Sequence, residues 1–216
     1  MRPLDEETIR RLELYRAGVN QPCPLYVVDY ENSIVVCDNT LLLEWPLDLV
    51  DTDCNRYRKL VKGCNHQYAK YQEFYENHWI NALIGKGDIV MAEEVDPKPE
   101  EIAYFTQFKA NKNGNTVYDE HGEPIPVGGT VVFQADRRCY YHAYYFDIIF
   151  HYVEDRQFGI YIPHPDDPVA DFIRYLCVFE GADLVGVVCN QLYRDEGTEV
   201  LMEDPETGKV LVGERV

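Results

Sequence analysis

From Tyr57 to Leu83, apolar and aromatic side chains return every three or four residues: Tyr57, Leu60, Val61, Cys64, Tyr68, Tyr71, Tyr75, His78, Trp79, Ala82 and Leu83. That is the period of an amphipathic helix, and it predicts one of about 30 residues, about 45 Å long at about 1.5 Å per residue. Thr52 or Asp53 stands where a cap is needed at its start, and Gly85 or Gly87 where it would end. The face is aromatic rather than leucine-rich. It reads first as a core face. The alternative is an oligomer seam in which Tyr71, Tyr75 and Trp79 anchor a partner, since Tyr and Trp give large contact area at low entropy cost.

Shorter signals flank this segment. Asp5 can cap a helix over residues 5–17, with Ile9, Leu12 and Tyr15 on one face and Gly18 at its end. Residues 25–30 and 34–43 read as two strands of a hairpin around Glu31, Asn32 and Ser33. Residues 88–99 are acidic and carry Pro97 and Pro99, which suits a linker, and a short helix over 100–108 follows. Glycine-bearing turns over 111–129 predict a projecting hairpin. Beyond it the pattern alternates: strand at 131–134, helix at 141–153, strand at 158–162, a Pro-rich turn, helix at 169–179, strand at 184–189, and a closing hairpin from 199–203 and 210–212. The expected fold is therefore α/β or α+β, a mixed sheet with flanking helices and one long aromatic-faced helix in the N-terminal half. Residues 1–95 would form the N-terminal helix, hairpin and long helix, and residues 96–216 the mixed region, as two units or one continuous domain.

Charge limits the partners. Twenty Lys and Arg against 38 Asp and Glu leave a formal net charge of −18. A field of that sign repels nucleic-acid phosphates and anionic lipid, and the few basic residues do not cluster. Direct nucleic-acid or membrane binding is not expected, and no apolar run is long enough to span a bilayer. A basic protein, including one that itself binds nucleic acid, fits better, and Glu93, Glu94 and Asp96 are the acidic residues singled out for such a contact. The seven cysteines include no C-x-x-C pair and mostly sit in apolar runs, as in Val36-Cys37 and Val188-Cys189. This reads as reduced thiols in a cytoplasmic or virion protein without a secretory leader.

Catalytic signatures are sparse. The chain has no phosphate-cradling glycine loop, no nucleophile elbow and no H-E-x-x-H. Ser33 is its only serine, with no histidine near it in sequence. His142 and His151, and likewise His66 and His78, do not share a helix face at their spacings. One turn can carry chemistry: residues 163–171 place His164, Asp166, Asp167 and Asp171 between a strand and an expected helix, and His with carboxylates suits zinc. The order strand, His-Pro, acidic turn, helix, strand resembles JAMM/MPN metalloisopeptidase domains over about 60 residues. His164-Pro165 matches the second histidine and the proline of the family's H-x-H-P turn, and Asp171 stands for its aspartate. Ile162 occupies the first histidine position and the expected serine is lacking. The resemblance implies a metal-dependent hydrolase or an inactive relative, with His164, Asp166 and Asp171 as metal ligands and His164 and Asp171 in the chemistry.

The reading that accounts for more of the chain is a non-enzymatic interaction protein without a cofactor. It would be a component of a viral or phage particle or another assembly, or an acidic inhibitor of a basic nucleic-acid-binding partner, and an oligomer is expected. The metal-dependent hydrolase with zinc at residues 163–171 is the alternative.

Overall fold

The computed structural model describes residues 1–17, 25–38, 40–64, 78–108, 115–168, 170–193, 200–203 and 210–213. Helix α1 spans Glu6–Ala17. The Asp5 carboxylate accepts the Thr8 N–H at 2.8 Å, so the expected cap is in place. Ile9 and Leu12 are buried. Strands β1 (Tyr26–Asp29) and β2 (Ser33–Cys37) form the expected hairpin. The second apolar run does not continue as one strand. Asp38 accepts the N–H groups of Thr40 and Leu41 at 2.7 Å each and turns the chain into β3 (Leu41–Pro46).

Helix α2 covers Asn55–Cys64 and α3 covers Trp79–Ile84. A single helix through Trp79 and Leu83 is not what forms. His78 has a left-handed backbone, φ 58°, and α3 starts afresh after it. Residues 65–77, including Tyr71 and Tyr75, lie outside the described residues.

Strands β4 (Gly87–Met91), β10 (Arg156–Pro163), β11 (Leu176–Glu180) and β12 (Asp183–Val188) join β1–β3 in a seven-stranded sheet of order β1-β2-β3-β12-β11-β10-β4. Every neighbouring pair in it is antiparallel. The fold is thus α+β, with antiparallel sheets where a mixed sheet was expected. Strands from both sides of residue 95 share this sheet. A second sheet has the order β5-β8-β9, from β5 (Glu93–Val95), β8 (Thr130–Gln134) and β9 (Arg138–His142). Two-stranded pairs are formed by β6 (Gln107–Phe108) with β7 (Pro126–Val127), and by β13 (Val200–Glu203) with β14 (Val210–Gly213), the expected closing hairpin. The projecting turn is also present. Asp119 N–H donates to the Glu123 carbonyl, and Gly122 takes the left-handed φ of 82° that the turn requires.

One C-terminal expectation fails. Residues 169–179 were expected to be helical, because Phe172, Ile173, Leu176 and Cys177 fit a helical face. Instead β11 is an inner strand with both faces covered. Leu176 and Val178 enter one cluster and Cys177 the other, so the run is apolar without alternation. The expected helix at 141–153 is α5, Tyr144–Tyr152. Tyr141 belongs to β9 and sends its hydroxyl to the Arg174 carbonyl at 2.7 Å.

The main sheet has a core on each face. On one, α1, α2 and α5 cover Ile34, Val36, Leu43, Trp45, Ile160 and Leu176; on the other, Trp79 packs with Val35, Leu42, Tyr161 and Val187. A bulge between Val178 and Phe179 puts Leu184 and Val187, three residues apart, on the same face. Gly186 lies beside that bulge, where an added Cβ would come within 2.6 Å of Leu43 Cδ2 and 2.7 Å of the Leu42 carbonyl.

Candidate functional site

The acidic segment expected to be a linker is structured. It forms the outermost strand of one sheet and runs directly into the edge of the other. Strand β4 pairs with β10 alone among the described residues, and β5 with β8 alone. Asp88, Glu93, Glu94, Asp96 and Glu100 are exposed. None of their carboxylates forms an ion pair among the described residues. By contrast Arg56 and Arg58 are paired with acids of α1 and of the loop before α2, and Arg138 and Arg174 with Glu101 and Asp136. Apolar side chains interrupt the acids: Val90 is 43% exposed and Met91 58%.

Helix α4, Pro99–Phe105, carries the surface onward. Pro99 suits its first position, where no N–H is needed. Ile102 and Tyr104 face solvent, and the Tyr104 ring meets Tyr193 edge-on at 4.8 Å. One acid of this helix is not on the surface. Glu101 is buried and accepts the Lys98 N–H at 2.7 Å, Arg138 Nε at 2.8 Å, Arg138 Nη2 at 2.7 Å and the Tyr140 hydroxyl at 2.9 Å. Burial alone would raise its pKa, but the Arg138, Lys98 and Tyr140 hydrogen bonds outweigh it and hold the carboxyl down to about 2. Arg138 Nη2 also donates to the Asp96 carbonyl at 3.0 Å. This buried charge cluster locks α4 and residue 96 to β9, and so fixes the acidic and apolar side chains around them.

In the turn at 163–171, His164, Asp166 and Asp171 are all exposed. Their backbone, not their side chains, makes the ordering contacts: His164 N–H to the Lys86 carbonyl at 2.9 Å, Asp167 N–H to the His164 carbonyl at 2.9 Å, and Arg137 Nη2 to the Asp171 carbonyl at 2.6 Å. Among the described residues no three His, Cys, Asp or Glu side chains form a group that could hold a metal ion. No helix follows the turn, because Asp171 and Phe172 lie in turns leading into β11.

Trp79, expected as an interface anchor, is fully buried and belongs to the core of this chain. Its indole N–H donates to Glu44 Oε2 at 2.6 Å. Glu44 Oε1 also takes the Ser33 hydroxyl, and lies 2.9 Å from His78 Nε2. The Tyr30 ring lies tilted against the His78 ring, with centroids 4.4 Å apart. Sequence reasoning missed this group, because Ser33, Glu44 and His78 meet only through the β2–β3 pairing and the start of α3. Its order is hydroxyl, carboxylate, imidazole. A triad needs the imidazole in the middle to take the hydroxyl proton, so this arrangement orients side chains without activating Ser33.

Three thiols, Cys139, Cys177 and Cys189, are likewise unsuited to nucleophilic work. Burial raises Cys139, pushes Cys177 up to about 12, and, with the Asp38 charge, pushes Cys189 up to about 11. Burial also pushes the His142 imidazole down to about 4, and its ring lies 2.9 Å from Gln191 Nε2. No helix among the described residues is long and apolar enough to cross a membrane. No family model, curated protein or solved structure matches the chain.

Proposed function

We propose that this chain is a non-catalytic protein-binding component that docks a basic partner on the surface running from Asp88 to Glu100 and across α4. One observation carries the reading: Asp88, Glu93, Glu94, Asp96 and Glu100 stand exposed, form no ion pair among the described residues, and are interleaved with exposed Val90, Met91, Ile102 and Tyr104. Exposed carboxylates alone are a solvated surface. Carboxylates around exposed apolar and aromatic side chains give a partner both steering charge and area to bury.

The reading fits a subunit of an assembly, such as a viral or phage particle, and equally an inhibitor that covers the basic face of a nucleic-acid-binding protein. Both uses need the same surface. The test is titration of a fluorescent lysine-rich peptide at about 0.1 M and about 1 M salt, where the Debye length falls from about 10 Å to about 3 Å. Binding at the lower salt is expected, weaker by about tenfold or more at the higher, and weaker in the variant Glu93→Gln/Glu94→Gln/Glu100→Gln. No binding at the lower salt, or binding unchanged in that variant, would overturn the assignment.

A further inference from the structure

Strand β4 has a paired side and an open side, and the hydrogen bonds tell which residues face which. Ala92 N–H donates to the Phe158 carbonyl at 3.0 Å, and the Lys86 carbonyl accepts the His164 N–H at 2.9 Å. Both bonds run toward β10. Backbone groups alternate sides along a strand, so Asp88 and Val90 also turn their N–H and C=O toward β10. Gly87, Ile89 and Met91 turn theirs outward, and no described residue takes them up. Open edges in folded proteins are usually shortened, bulged, or blocked by lysine or proline. This one is regular over Gly87–Met91; exposed Lys86 precedes it, and carboxylates lie within it and beyond it.

We propose that the open side of β4 is the docking groove for an extended segment of a basic protein, which adds an eighth strand beside Gly87, Ile89 and Met91. The inference rests on the basic-partner reading and specifies how that partner is held. The outward N–H and C=O groups supply main-chain pairing, which any extended peptide can use. The side chains choose among peptides. Val90 and Met91 accept apolar residues of the incoming strand, while Asp88, Glu93 and Glu94 favour lysine or arginine at neighbouring positions.

A second copy of this chain is the obvious competitor for the edge, and charge disfavours one of its registers. Antiparallel self-pairing centred on Met91 puts Asp88 opposite Glu94. Directly opposed like charges destabilise a strand pair. Centring it on Val90 puts Lys86 opposite Glu94 instead, so sedimentation decides between a second copy and a basic strand. A basic strand meets three carboxylates, Asp88, Glu93 and Glu94, against the single Lys86.

The test uses the full chain and three peptides: one alternating lysine and valine, one of the same length and charge with D-proline in place of alternate valines, and one alternating glutamate and valine. The key variant is Met91→Pro. It deletes an outward N–H on a half-exposed residue and leaves the β10 ladder intact, as proline on an edge strand can. A control for folding is the circular dichroism of that variant, and Met91→Lys serves if the proline variant fails to fold. The expected result is binding of the lysine-valine peptide, about tenfold or more weaker in Met91→Pro or Met91→Lys, with the glutamate peptide silent. If the proline-broken lysine peptide binds as well as the extended one and both Met91 variants are unaffected, the edge is not used, although the basic-partner reading stands. If no lysine peptide binds, both fall. If the wild-type chain dimerises in sedimentation and Met91→Pro is monomeric, the edge belongs to a second copy and the proposal is wrong.

Discussion

Replacing Glu101 by alanine removes a buried carboxylate that accepts four hydrogen bonds and leaves the Arg138 guanidinium, whose side chain is 25% exposed, without its counter-charge. Breaking such a pair from one side costs about 3–5 kcal/mol, because the surviving ion stays desolvated. At an m-value of about 2 kcal/mol per molar urea, the midpoint should fall by about 2 M. Urea unfolding followed by circular dichroism at neutral pH measures this. The double variant Glu101→Met/Arg138→Met should recover much of the loss, since it removes both charges together. The same group sets an acid limb. Its carboxyl is held at about 2 against an ordinary 4.5, so the unfolded chain binds the proton first. The contribution is whole above pH 4.5 and is lost as pH falls from 4.5 toward 2, and Glu101→Ala should flatten that limb. A loss under about 1 kcal/mol in Glu101→Ala, with an unchanged acid limb, would refute the claim that this cluster anchors α4.

Two other predictions concern buried positions of the sheets. Gly186→Ala should lower the thermal midpoint, with a cost of about 1–3 kcal/mol, because the new Cβ meets the Leu42 carbonyl and the Leu43 side chain rather than a movable surface group; an unchanged midpoint would mean the β3–β12 seam can open to admit it. Thiol labelling followed by peptide mass spectrometry should find Cys37, Cys139 and Cys177 unmodified in the native protein and labelled in urea, since all are buried and the last two have raised pKa values.

Local chemistry made part of this fold legible. The Asp5 cap, the β1–β2 hairpin, Pro99 at the start of α4 and the closing β13–β14 pair all follow from residues that act within a few positions of themselves. What was not legible came from tertiary burial. The helical spacing of Phe172, Ile173, Leu176 and Cys177 joins the chain before β11 to a strand with two covered faces. The period running through Tyr57 and Trp79 crosses a left-handed residue, His78, that no pattern of apolar spacing reveals. The same holds for the sites. Glu93, Glu94 and Asp96 were identified as exposed acids and are exposed. Glu101, five residues beyond Asp96, reads identically in sequence and is buried, because its partners Arg138 and Tyr140 arrive from a distant strand. Trp79 lies in the core, the first of the two readings of its face, but nothing in its neighbours announces that Glu44 receives its N–H.

The seam between β3 and β12 has a consequence for the order of assembly. Strands β1–β3 form a meander closed by short turns, and β10–β12 form another in which residues 164–175 link the first two strands. The two meet only where Leu41, Leu42 and Leu43 pair with Val188, Val187 and Gly186. Each meander can collapse early on local contacts, whereas their union must bring together chain segments from opposite ends of the sequence, the slower event. On a ribosome, β3 emerges long before β12 exists. Until then its leucines face an empty side, and a nascent chain stalled in that interval presents an apolar edge to whatever is near.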